Sequence, residues 1–258
     1  MNSGAARRAG EVAIGVLPIA LILALWQGLS LSGIAPAVIL PPPTLVFARL
    51  LQQFGNPQYW DNAATTLFRL FAGFSIAVVI GVSLGLAATG SRTVEALVRP
   101  LVRVLAPLPK VALYPAMILI LGFDHASKIT LVAADAVFPI LLATYQGTMT
   151  VEPKLVWSAR AAGTSARRAL FSVVLMAAMP SVLTGCRIGL IISCIVVFLA
   201  EMITSTDGLG YMLVRAGRNF QTVDMFVPLI SISILGLTLN AAFNMLRAWL
   251  LTGFPEER

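Results

Sequence analysis

Apolar stretches close to or above the ~18–20 residues needed to cross a bilayer recur along this chain, and that recurrence constrains its fold more than any other feature. Within hydrocarbon every backbone N–H and C=O must be paired inside the protein, and segments of this length satisfy that demand as helices. Composition agrees: of 258 residues, 58% are hydrophobic and 11% charged, and the mean hydropathy is +0.89. A soluble domain is excluded. The formal net charge of +7 does not point to nucleic acid, because the basic residues are dispersed between apolar runs, where they set topology.

Spans are predicted near residues 12–31, 65–88, 128–145, 173–199 and 225–251, with a broken segment between the second and fourth. Arg92, Arg99 and Arg103 follow the second span; Lys154, Arg160, Arg167 and Arg168 follow the fourth; Arg7 and Arg8 precede the first. This bias places those loops and both termini in the cytoplasm. The reading is an all-α membrane protein of about six transmembrane helices in a single domain over residues 1–258. The N-terminal apolar run lacks a small-residue cleavage pattern and reads as an uncleaved first span.

Between the first two spans, Pro41-Pro42-Pro43 breaks the chain, and Thr44 is predicted to cap a short helix over Leu45 to Gln53. Gly73, Gly81 and Gly85 suit close helix contact in the second span. Pro100, Pro107, Pro109 and Pro115 then interrupt the third segment, and irregular backbone at membrane depth is tolerated where protein or a water-filled cavity surrounds it. Pro109 and Lys110 are therefore candidate pathway residues, although Lys110 could instead snorkel to the inner interface. Asp135 lies inside the fourth span, where a carboxylate needs a partner or a cavity; Lys110 and Arg187 are the candidates. A loop from Asp207 to Asp224 carries Arg215 and Arg218 outside, against the usual bias, to meet an acidic partner or anionic solute or to be neutralised by Asp207 and Asp224. Cys186 and Cys194 would stand ~12 Å apart on one helix, too far for a disulfide. His125 has no metal-ligand companions at suitable spacing.

The longest polar, basic stretch links the fourth and fifth spans. Glu152-Pro153 opens a helix that runs to Ala162, and Gly163 falls where a left-handed cap would end it. Thr164 and Ser165 are both suitable N-caps for the next helix. One face of the first helix carries Leu155, Ser158, Ala159 and Ala162, and the other Lys154, Trp157 and Arg160. Such a helix could simply lie on lipid headgroups.

The order of residues from Ser158-Ala159-Arg160-Ala161-Ala162-Gly163 through Phe171, Leu175, Pro180, Gly185 and Arg187 resembles the cytoplasmic loop signature of ABC-importer permeases. That signature is Glu-Ala-Ala, a glycine four residues after the second alanine, and Ile-x-Leu-Pro about ten residues beyond. Here Trp157 stands at the glutamate position and Met176 at the proline, with Val173 and Leu175 at the isoleucine and leucine. Leu40-Pro41, Arg69 through Gly73-Phe74, Pro107-Leu108-Pro109, Gly122-Phe123, Lys128 and Ala200-Glu201 through Gly208-Leu209-Gly210 are similar to the nitrate/sulfonate/taurine permease group.

The resemblance implies a type I importer permease fold (MetI-like), with a cytoplasmic coupling helix between spans four and five in a loop of about residues 148–172. Trp157, Ser158, Ala159, Arg160, Ala161, Ala162, Gly163, Thr164 and Ser165 would then engage the ATPase. Pro109, Lys110, Asp135, Arg187, Glu201, Gly208 and Gly210 become pathway or gate candidates. The implied partners are two cytoplasmic ATPase subunits that bind ATP and Mg²⁺, an extracytoplasmic solute-binding protein and a second permease copy, in a homodimer, with a heterodimer as the alternative. The chain has no G-x-x-x-x-G-K-[ST] segment with which to cradle nucleotide itself. An ATP-independent secondary transporter or channel is the alternative.

Overall fold

The computed structural model describes residues 3–34, 36, 38–252 and 254, with side chains from residue 17 onward. Arg7, Arg8 and the tail Pro255 to Arg258 thus lie outside the described side chains. The helices are α1 (Ser3–Leu31), α2 (Pro43–Gln53), α3 (Pro57–Gly90), α4 (Arg92–Leu105), α5 (Tyr114–Leu121), α6 (His125–Met149), α7 (Pro153–Ala161), α8 (Ala166–Ala169), α9 (Met179–Thr204), α10 (Leu209–Arg218) and α11 (Thr222–Leu250). No strand occurs among the described residues.

Four helices, α3, α6, α9 and α11, are long and apolar enough to cross a membrane. The segment α4 through α5 makes a fifth when counted as one span, bent by 87°. The first predicted span corresponds to α1, of which only Leu17–Leu31 is fully described.

Several boundaries differ from expectation for local reasons. α2 begins at Pro43, because proline's fixed φ suits a first turn; Thr44 makes no cap and instead meets Gln27. The stretch after the fifth span, expected as a loop, contains α10. The fifth span does not start near Val173. A single turn, α8, passes into π-helical backbone over Leu170–Leu175, and α9 starts only at Met179. Pro180 lacks the N–H that would continue the preceding ladder, so the helix restarts with Pro180 in its first turn.

The contacts divide the chain into two compact units, residues 1–60 with 212–230 and residues 61–211 with 231–258. In the first, Arg49 holds Asp224 at 2.6 Å, Trp26 rests on Phe226 and Thr222 donates to the Val38 carbonyl. That pairing raises the Arg49 pKa above its ordinary value.

The second unit is built around α6. Ile140 is fully buried between two glycines: a Cβ on Gly81 of α3 would meet its Cγ2 at 2.9 Å, and one on Gly189 of α9 its Cδ1 at 2.8 Å. Gly73 faces Val132 and Gly85 faces Thr144 in the same manner, while Gly185 of α9 faces Ala143. Recurrence every four residues is the ridge spacing along which helices interlock. Without a hydrophobic force between helices in lipid, this backbone proximity provides the dispersion contact that holds them.

Candidate functional site

Three constellations stand out in the second unit. The first is the basic corner. Pro153 occupies the first turn of α7, and the Gly163 backbone is left-handed with φ 87°. The Gly163 N–H bonds the Arg160 carbonyl and the Thr164 N–H bonds the Ala159 carbonyl, both at 3.0 Å, which closes a Schellman motif. Of the two predicted caps Ser165 serves, its Oγ accepting from the Arg168 N–H at 3.4 Å. No side chain of α7 is buried, and Trp157 is 67% exposed. Beyond the corner the chain is anchored: Ala169 is buried, and Leu170 fills the space above Gly90. Ser158, Ala161, Ala162 and Arg160 thus sit on a rigid, exposed turn joined through the π segment to α9.

The second constellation is the broken segment. Residues 106–109 separate α4 from a 3-10 turn, Lys110–Leu113, that leads into α5. Lys110 does not snorkel. It is buried, its Nζ 3.1 Å from Asp135 and donating to the carbonyls of Ala106 at 3.1 Å and Leu108 at 3.3 Å, with the Phe138 ring 4.6 Å away. The ammonium therefore fastens the frayed carbonyl end of α4 to α6 and holds the bend. Arg187, the other proposed partner of Asp135, donates instead to Asn240 at 2.9 Å.

The third is centred on Glu201, near the end of α9, and its partners went unpredicted. Arg69 and Glu201 are 1% and 0% exposed and meet at 2.8 Å. Thr66 donates to the same carboxylate at 2.9 Å and the Gly210 N–H at 3.1 Å. The other Arg69 nitrogens reach Asp207 at 2.5 Å and His125 Nδ1 at 3.1 Å. The Gly208 N–H is taken by Asn62 at 2.7 Å and the Leu209 N–H by Thr66 at 2.9 Å. Gly208 immediately precedes α10, and Leu209 and Gly210 carry its first amides, so side chains of α3 and α9 cap that helix. Gly208 has φ 101°, and a Cβ there would strike the Glu201 carboxylate; a Cβ on Gly210 would come within 2.7 Å of Glu201 Cβ. Both glycines are therefore needed for the chain to come this close. Burial would raise the Asp207 carboxyl, but the hydrogen bond and charge of Arg69, helped by Ser205, hold it below the ordinary 3.8. With its oxygens filled, Glu201 is arranged as a clamp joining α3, α9 and α10.

A signal for this cluster existed in the sequence. Arg69 lies within the predicted second span, where an arginine requires an acidic partner, and Glu201 closes the fifth. Next to the arginine in the cluster, Lys128 is buried and spends its protons on the carbonyls of Phe123 and Asp124, at 2.5 and 3.2 Å. No group of three or more His, Cys, Asp or Glu able to hold a metal occurs among the described residues.

Residues 77–253 match the model of the family described as "Binding-protein-dependent transport system inner membrane component". An aliphatic sulfonates transport permease protein of Escherichia coli K12 is 33% identical over 241 residues, covering 93% of this chain and 91% of that protein. The taurine transport system permease protein of the same organism is 28% identical, covering 92% and 88%. Among solved structures, the inward-facing MetNI methionine ABC transporter superposes with a TM-score of 0.59 at 21% identity, over 74% of this chain and 93% of that one. This last likeness concerns the fold.

Proposed function

The chain belongs to the family of binding-protein-dependent transport system inner membrane components, and on that premise we propose that it forms the translocation pathway of an importer for a small sulfonate- or taurine-like anion. The work is done by a separate ATPase subunit, two copies of which bind ATP and Mg²⁺ in the cytoplasm. A second copy of the permease completes the pathway, and an extracytoplasmic protein delivers the solute. The orientation rests on charge: α4, α7 and α8 carry Arg92, Arg99, Arg103, Lys154, Arg160, Arg167 and Arg168, and that end faces the cytoplasm.

The observation that carries this reading is the corner at Gly163. A helix with no buried side chain, ended by a hydrogen-bonded glycine turn, offers a firm surface to a partner. Whatever displaces it acts through the π segment on α9, the span whose apolar stretch is 61% buried. π-helical turns inside α-helices recur at functional positions. Trp157 through Ser165 receive the ATPase. Movement of α9 then works against the Glu201 clamp, with Gly208 and Gly210, at one end and the Lys110–Asp135 fastening beside Pro109 in the broken segment, so that access alternates between the two sides. An open cleft of about 320 Å³ between the ends of α6 and α9, with Gln146, Thr150, Ser181 and Thr184 among its lining, lies near the cytoplasmic end.

Reconstitution in liposomes with the ATPase and the solute-binding protein tests the proposal. Uptake of taurine or an alkanesulfonate is expected to require all three components and ATP. Uptake by the permease alone would favour an ATP-independent transporter or channel.

A further inference from the structure

Phe220 is held in left-handed backbone, φ 57°, the one non-glycine residue with positive φ among those described. For a bulky side chain this conformation is strained. It arises at the end of α10, where the Phe220 N–H bonds the Gly217 carbonyl at 3.0 Å and the Gln221 N–H bonds Ala216 at 2.9 Å. Glycine or asparagine ordinarily fills this position, and the asparagine here is one residue early, at Asn219. Packing does not offset the strain, because the phenyl side chain is 86% exposed. Strain of this kind is retained where the direction of the side chain matters.

Two guanidiniums accompany the ring. Arg215 and Arg218 lie exposed in the last turn of α10. The carboxylates that sequence offers them are occupied elsewhere: Asp224 is bound by Arg49 and Asp207 by Arg69. The side of the membrane follows from chain order. α9 crosses once between the basic corner and Thr204, and α10, ten residues and ~15 Å long, cannot return across a ~30 Å core. By chain order Phe220 therefore follows the extracytoplasmic end of α9.

We propose that Phe220, flanked by Arg215 and Arg218, anchors the extracytoplasmic solute-binding protein, the ring entering an apolar pocket of that protein rimmed by carboxylates. This rests on the importer reading above and assigns the docking surface. Aromatic rings and arginines dominate interface energies, a fixed ring lowers the ordering cost, and uncompensated charge steers an acidic partner. A lipid surface would accept an aromatic at neighbouring unstrained positions and supplies no reason for the positive φ.

Phe220→Gly separates docking from architecture, because glycine removes the ring and relieves the strain together. The permease–ATPase complex, in nanodiscs of mixed phosphatidylcholine and phosphatidylglycerol, is titrated with the binding protein of the same transport system while ATP hydrolysis is read. Phe220→Gly should raise the melting temperature, preserve basal hydrolysis and increase the half-maximal binding-protein concentration at least about tenfold. Arg215→Glu with Arg218→Glu should act in the same direction and abolish the salt dependence of stimulation. An unchanged titration in Phe220→Gly overturns the proposal, as does an effect confined to partition into phosphatidylglycerol vesicles. A wild-type complex that the binding protein fails to stimulate at all removes the importer reading, and the proposal with it.

Discussion

Replacing Glu201 by alanine deprives the Arg69 guanidinium, 1% exposed, of its buried partner. In the intact cluster Arg69 is neutralised from two directions, by Glu201 at 2.8 Å and by Asp207 at 2.5 Å, and Asp207 is itself 45% exposed. After the substitution only the solvent-screened partner remains, and the Gly210 N–H loses its acceptor. Breaking a buried pair from one side costs about 3–5 kcal/mol. The surviving Asp207 contact pulls the value toward the low end, and the orphaned amide adds about 1–3 kcal/mol. A loss near ~4 kcal/mol lowers the melting temperature by roughly 8–16 °C for a chain of this size. Thermal unfolding of the detergent-solubilised protein, followed by size-exclusion fluorescence, measures it. Arg69→Met with Glu201→Leu removes both charges, so the double variant should recover at least half of the loss. A Glu201→Ala protein that melts within about 2 °C of wild type, or a double variant whose cost equals the sum of the singles, would refute the clamp.

Gly208→Ala should destabilise by about 1–3 kcal/mol from backbone strain alone, more once its Cβ displaces the Glu201 carboxylate, and the same melting assay reads it. Lys110→Met leaves Asp135 unpaired beside the 87° bend and is expected to abolish transport with insertion intact; Lys110→Met with Asp135→Leu should restore the melting temperature. Asp207 contributes a modest pH dependence. Its folded pKa is depressed, so its stabilisation is complete above the ordinary value of 3.8 and disappears as pH falls below it. Melting curves between pH 3 and 5 should lose that acid-side slope in Asp207→Asn.

Local features were legible before the fold was known. The Gly163 corner, the proline break and the glycine contacts of α3 each follow from a few adjacent residues. Gly81 needed only its own spacing to be placed at an interface, although its partner Ile140 did not follow from sequence. The clamp escaped because Arg69 and Glu201 are 132 residues apart, and the pairing of two spans is a tertiary fact. Asp135 offered two partners, and only the bend after α4, which turns Lys110 inward, decided between them. The π turn at Leu170–Leu175 also went unseen: nothing in an apolar run specifies a register shift, which arises where α8 must be joined to a helix restarted by Pro180. α10 is not legible in the sequence because its caps come from Asn62, Thr66 and Glu201, far away in the chain.

The central claim is that the corner at Gly163 faces the cytoplasm and is gripped there by an ATPase. Ser158→Cys, in a protein whose Cys186 and Cys194 have been replaced by alanine, tests it with a membrane-impermeant maleimide. Labelling is expected only in inside-out vesicles, with protection when the ATPase subunit is bound and exposure when it is stripped away. Labelling of intact, outward-facing membranes, or labelling indifferent to the ATPase, would contradict the account.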